Sequence, residues 1–316
     1  MNNKDKRMFM ECVESIKTFG YAKNQLAFKR AKANLPQTLF KFRTFEEYNL
    51  EAMHKNYIYI APLNNLDDPF EMILDLKASK YYDFSKKRLK KKAINLLEKE
   101  IKKIGYTITP SDIEGTISYK NSETSEHTIF IGKELEYFIN YNFVNPKERL
   151  SEVISNTGVC ALTDKIDNKP MWSLYSDNYK GYCIEYDYSK TNEIIQHLLP
   201  VIYTKRRNNN LEEKLFLSLC SNCLDNPFVP YFDKKAALYE LYCTKDKDRE
   251  YQSEWRIVGE PGKWNNILKT KAVYLGFAVT KENEDKMIEL AKEKEFKLYK
   301  MKKPDQTKKI KFIELL

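Results

Sequence analysis

Three short runs of this chain thread charged side chains between large apolar ones, and chemistry is to be sought there first. LFKFR carries Lys41 and Arg43, GYCIEYDY carries Glu185 and Asp187, and QSEWRIVGE carries Glu254 and Arg256. Alternation along a strand puts residues i and i+2 on one face. Lys41 and Arg43 then oppose Phe40 and Phe42; Glu185 and Asp187 lie with Cys183, opposite Tyr182, Ile184 and Tyr186; Glu254 and Arg256 lie with Val258, opposite Trp255 and Ile257. A carboxylate in such a setting can stabilise developing positive charge, and an arginine can hold a phosphate or diphosphate with fixed donors. The plain alternative for each strand is an outward polar face with cross-strand ion pairs, each worth little.

Two further stretches carry polar residues in a defined setting. In LNNLDDPFE, Asn65, Asp67 and Asp68 can bond their own backbone and hold a bend that Phe70 anchors. MWSLYSDNYKGYC joins Trp172, Tyr175 and Tyr179 to Asp177, Lys180 and Gly181. Trp172 and Tyr175 are three apart and share a helix face, where they form either a stacking wall for a base or nicotinamide ring or a wedge in the core. Phosphate loops of the GxxxxGK or GxGxxG type, GxSxG and HExxH are all missing. His54, His127 and His197 form no metal pair, so the chemistry is not expected to use a histidine base. Of six cysteines only Cys220 and Cys223 make a CxxC, with no second ligand pair, and no metal is expected.

The elements that must position these residues follow from composition and pattern. With 316 residues, 42% hydrophobic and 31% charged, the chain has material for one large or two ordinary domains. It lacks a run long and apolar enough to span a membrane and a signal-like start, so a cytoplasmic, soluble protein with no membrane partner is expected. The bias toward Lys, Asn, Ile and Tyr points to an AT-rich bacterial genome. The net charge is +9, and Lys77–Lys103 alone holds eleven Lys or Arg against Asp83, Glu98 and Glu100. That segment is either a solvated helix face or a surface for nucleic acid or an acidic protein.

Helical spacing over residues 4–34 predicts an N-terminal helical extension, residues 1–36. Residues 37–316 read as a single α+β domain with a helical, basic insertion at about 77–155. A capping box at Thr44 and Glu47 is expected to open a short helix, residues 105–127 are expected to be loop and short helix, and further helices are predicted at about 128–143, 210–223 and 231–243. Short strands with irregular helices between them, without a βαβ rhythm, predict a mixed, mostly antiparallel split sheet.

Taken in order, these runs resemble a prokaryotic family, number 2971 in the domain-of-unknown-function series. The resemblance rests on Lys41-Phe42-Arg43, the Pro62–Glu71 turn with Asp68-Pro69-Phe70, Met171-Trp172 with Tyr175 and Gly181, Tyr182–Asp187, and Glu254-Trp255-Arg256. The family's layout is in turn similar to that of ADP-ribosyltransferases. That likeness implies NAD as cofactor, Arg43 holding it, Trp172 and Tyr175 packing the ring, and Glu254 as the catalytic carboxylate oriented by Arg256, in an effector such as a toxin or phage-defence component. Asp68, Lys180 and Glu185 are further site candidates. The alternatives are a metal-dependent nuclease using Glu185 and Asp187, and a non-catalytic binding or regulatory module.

Overall fold

The structure, a computed structural model, describes residues 1–23, 25–66, 102, 107–109, 116–120, 127–130, 154–188, 192–205, 239–307 and 309–316. The chain divides into two compact units. One comprises Met1–Glu71, Ile154–Arg207 and Tyr242–Leu316; the other comprises Met72–Val153 and Asn208–Leu241.

The first unit is built on a ten-stranded, mostly antiparallel sheet, so the class is α+β as the pattern predicts. Its strands are β1 (Leu39–Arg43), β2 (Tyr57–Pro62), β6 (Gly158–Thr163), β7 (Tyr182–Asp187), β8 (Leu198–Pro200), β11 (Glu254–Gly259), β12 (Gly262–Asn265), β13 (Lys269–Leu275), β14 (Lys297–Met301) and β15 (Phe312–Glu314), the missing numbers being strands outside this sheet. Runs such as GVCALT and EWRIVG form strands because β-branched and aromatic residues fit a pleated, buried surface.

The sheet falls into two laddered halves. In one, β1 pairs with β7 over five positions, and β13, β14 and β15 continue outward. In the other, β6 pairs with β11 over six positions, with β8 beyond. The far edge of β6 is shared: β2 pairs at its start, through Val159 and Gly158, and β1 at its end through the single pair Phe40–Thr163. Between those contacts the edge of β6 is open to β1, and the candidate site lies there.

Helices seal both faces. Helix α1 (Asn3–Lys23) is followed by α2 (Gln25–Ala33), which packs against it. It is not a free extension: Phe9, Met10 and Val13 are buried, and Phe9 meets Trp255 edge-on at 5.5 Å. Lys6 Nζ donates to the Val201 carbonyl at 2.6 Å and Asn3 Nδ2 to the Tyr203 carbonyl at 2.8 Å. On the other face, α4 (Lys169–Tyr175) sets Trp172 edge-on to Phe42, in a cluster with Phe40, Cys183 and Met301. The helix starts as its sequence requires, with Pro170 in the first turn and Asn168 accepting from the Met171 amide.

Helix α3 (Glu47–His54) starts differently from expectation. Its N-cap is Glu46, and Thr44 instead accepts from Asn49 Nδ2, so no capping box forms. Helix α5 (Lys281–Lys294) is capped by Thr280, whose side chain accepts from the Asn283 amide. The stretch PVIYTK breaks at Val201 into β8 and β9 (Ile202–Thr204), because the Val201 amide turns to the Glu254 carbonyl while β9 pairs in parallel with β10 (Thr244–Asp246).

In the second unit the described residues form a three-stranded antiparallel sheet, β3 (Thr107–Thr109), β4 (Thr116–Lys120) and β5 (His127–Phe130). Strands therefore stand where loop and helix were expected. Thr-Ile-Thr, Thr-Ile-Ser-Tyr and His-Thr-Ile-Phe are short β-branched runs separated by turn formers, a local preference that the basic helical pattern upstream masked. Of the Lys77–Lys103 segment only Lys102 is described, and it is exposed. The predicted helix at about 210–223 and the cysteines Cys220 and Cys223 lie outside the described residues.

Candidate functional site

A cleft of about 190 Å³ opens where β1 and β6 part. One wall is Phe40, Lys41, Phe42 and Arg43 of β1; the other is Ala161, Leu162 and Thr163 of β6 with Glu254 and Arg256 of β11. Met171 and Tyr175 of α4, Leu66, and Lys245, Arg249 and Gln252 from the segment leading into β11 complete it.

Strict alternation would keep these charges apart. Through the pairs Phe40–Thr163 and Thr163–Glu254, Glu254 and Arg256 share the sheet face of Phe40 and Phe42, and Lys41 and Arg43 lie on the opposite face. They line one cleft because the ladder is open beyond Phe40. Lys41 spans the opening, and its Nζ donates to the Ala161 carbonyl at 2.7 Å, an edge acceptor that no strand takes there. Burial, with the Arg43 charge beside it, holds the Lys41 ammonium below the usual lysine pKa.

Glu254 is 6% exposed and doubly paired. Arg256 Nε reaches Oε1 at 2.7 Å and Lys245 Nζ reaches Oε2 at 2.7 Å. Arg256, itself 1% exposed, is anchored by a hydrogen bond from Nη1 to the Tyr242 carbonyl. Burial opposes ionisation of Glu254, but Arg256 and Lys245 outweigh it, and the pKa lies below the ordinary glutamate value. At neutral pH the group is a carboxylate, suited to electrostatic stabilisation or hydrogen-bond acceptance and not to donating a proton. Lys245 also donates to Gln252 Oε1 at 2.9 Å, and Gln252 Nε2 donates to Tyr175 Oη at 2.9 Å. One hydrogen-bonded line thus runs from the aromatic wall to the carboxylate.

The cleft is strongly cationic. Among the described residues that line it, Lys41, Arg43, Lys245, Arg249 and Arg256 stand with one carboxylate, Glu254. Among the described residues neither Lys41 nor Arg43 has a carboxylate partner.

Of the residues picked out from sequence, Arg43, Tyr175, Glu254 and Arg256 converge here. Trp172 does not: it is fully buried, its Nε1 donates to the Ile166 carbonyl at 2.8 Å, and Tyr179 stacks on it at 6.4 Å, so it is a core wedge with no surface for a ring to pack on. Glu185 sits on β7, opposite Phe40 of β1 but not lining the cleft, and is bonded by Lys271 at 2.5 Å and Tyr274 Oη at 2.7 Å, with Lys271 delivered by an irregularity in β13 between Thr270 and Ala272. Lys180 is an exposed surface cation 3.4 Å from Asp177, away from the cleft. Asp68 lies outside the described residues. Among the described residues no group of three or more His, Cys, Asp or Glu side chains could hold a metal ion, and no helix is long and apolar enough to cross a membrane.

Sequence reasoning missed Lys245, Arg249 and Gln252. The signal was available: TKDKDREYQ runs directly into SEW, and a short helical turn over Lys247–Gln252 folds that polar segment back onto the start of β11.

Fold and cleft together define an α+β protein with a cationic cleft in a split sheet. Residues 171–257 match the family described as protein of unknown function (DUF2971). The matched span contains Tyr175, Lys245, Arg249, Gln252, Glu254 and Arg256 of the cleft, whereas Lys41–Arg43 and the Pro62–Glu71 turn lie outside it. No curated protein and no solved structure matches the chain significantly.

Proposed function

We propose that the cleft binds a phosphate-bearing nucleotide and that NAD is the ligand to test first, for glycosyl transfer or hydrolysis of the ADP-ribosyltransferase type. The observation that carries this reading is the meeting of Arg43, Tyr175 and Glu254 in one cleft whose described lining holds five cations and one carboxylate. Arg43, which has no carboxylate partner among the described residues, is available to a phosphate; Tyr175 offers a ring beside it; and Glu254 is ionised where ribose would gain oxocarbenium character. Each carboxylate oxygen has two acceptor positions, so Glu254 keeps capacity for a ribose hydroxyl after Arg256 and Lys245 are satisfied.

Size bounds the reading. A cleft of about 190 Å³ is smaller than the roughly 300–1,000 Å³ that encloses a drug-sized ligand, so it would take one end of a dinucleotide and leave the rest outside. The nuclease alternative has less support, because Glu185 is committed to Lys271 and Tyr274 outside the cleft.

The test is titration with NAD and with inorganic diphosphate, followed by assay of nicotinamide release. Saturable NAD binding that weakens about tenfold or more in Arg43→Ala, with release lost by about 10²-fold or more in Glu254→Gln, is expected. Diphosphate binding without NAD binding would discard NAD and retain a phosphorylated ligand. NAD binding without release under any condition would leave a binding module.

A further inference from the structure

We infer that Lys41 is a reactive amine, placed to form a Schiff base with a phosphorylated aldehyde or ketone. This goes beyond the nucleotide reading and does not depend on it.

Most lysines with described partners in this unit are paired with carboxylates; Lys6, bonded to the Val201 carbonyl, is not, but it lies outside the cleft that Lys41 lines. Lys245 is tied to Glu254, Lys271 to Glu185, Lys300 to Glu284 and Lys281 to Asp285. Lys41 is half-buried and donates to a neutral carbonyl, Ala161, across the open ladder. No carboxylate among the described residues fixes its charge, and Arg43 stands two residues along on the same face. A lysine that is desolvated and beside another cation is the kind that reacts as a free amine, because both effects disfavour the ammonium form; here both act in that direction. Arg43, without an ion pair among the described residues, lines the same cleft, so the phosphate of a substrate and its carbonyl carbon can be held together.

The step balances without an oxidant or reductant. The Nζ lone pair attacks the carbonyl carbon, one amine proton passes to the carbonyl oxygen to give a neutral carbinolamine, and with one further proton taken from solvent the hydroxyl leaves as water, so that a protonated C=N bond remains. That imine keeps one N–H, which can still serve the Ala161 carbonyl.

The probe is pyridoxal 5′-phosphate added to the full chain, followed by borohydride, which traps an imine as a secondary amine, and peptide mapping by mass spectrometry. Lys41 should be the dominant modified lysine at low reagent. Its labelling should be at least tenfold greater than with pyridoxal lacking the phosphate, and should be blocked by inorganic diphosphate. Lys41→Arg should remove that adduct while keeping the circular dichroism of the parent. If the variant does not fold, the wild-type map and its protection by diphosphate still decide. Labelling of Lys41 no faster than that of exposed lysines such as Lys55 and Lys281, or no protection by diphosphate, overturns the inference. Because NAD is not used, failure here and failure of the nucleotide reading are read separately.

Discussion

At the scale of single residues, the structural part that Glu254 plays can be read from the pH dependence of stability. Its carboxylate is the counter-charge for Arg256 and Lys245, both nearly removed from water. Removing one partner of such a buried pair costs about 3–5 kcal/mol, so Glu254→Gln should lower stability by that order in urea unfolding at pH 7. Folding holds this pKa below that of the unfolded chain, so the ionised form is the one folding favours. The contribution is therefore complete above the ordinary glutamate range, about 4.3, and is lost as pH falls through the lower folded value. Wild type and Glu254→Gln should draw together in stability as the pH is lowered from about 6 to about 3, and a gap that stays constant would deny the pairing its energetic role. Pattern alone selected Glu254 and Arg256 because charges embedded in apolar strands stand out. It leaves Trp172 open between ligand wall and core wedge, because an aromatic residue beside a glycine turn reads the same whether it faces a ligand or the core; only the resemblance implies the wall, and full burial makes it the wedge.

At the scale of elements, the strand runs were legible because their apolar content is nearly continuous. The runs LFKFR, GYCIEYDY and QSEWRIVGE contain β1, β7 and β11. What the pattern could not supply was how strands meet. Period-two alternation assigns faces within a strand, but the opening between β1 and β6 lets residues from opposite faces share a cleft. The turn that returns α4 to β7 shows how tightly the elements are fitted. Asp177, Asn178 and Tyr179 are all left-handed, with φ of 45°, 49° and 66°, and they hand the chain to Gly181 beside β1. A β-carbon on Gly181 would stand 2.2 Å from the Arg43 carbonyl oxygen, a contact with backbone that cannot swing aside. Gly181→Ala should therefore cost more than about 2 kcal/mol and perturb amide resonances at the end of β1, Arg43 included, in a heteronuclear NMR spectrum. An unchanged melting temperature would mean that β1 and β7 are less closely fitted than the register requires.

At the scale of the whole molecule, helix α1 belongs to the first unit and not to an appended segment. Phe9, Met10 and Val13 are buried, and each such side chain is worth about 1.5–3 kcal/mol of burial. Together they approach the whole stability of an ordinary domain, about 5–15 kcal/mol. Removal of residues 1–36 should therefore leave a chain that aggregates or unfolds, with red-shifted tryptophan fluorescence as Trp255 loses Phe9. A truncated chain that stays monomeric with native fluorescence would return α1 to the status of an extension. The helix itself was legible from its spacing. Its docking was not, because contacts such as Asn3 with Tyr203 join residues 200 positions apart, and pattern within a window cannot report them.

The single pair Phe40–Thr163 also has a mechanical meaning. Along that seam the two half-sheets are stitched by one backbone bridge and the side chain of Lys41, where their own ladders have five or six pairs. A ligand seated in the opening would touch both lips and act as a splice, adding its adhesion where the protein supplies least of its own. At a hundredfold excess over its dissociation constant that splice would contribute about 2.7 kcal/mol. Occupancy and cohesion of the sheet would then be two readings of one event.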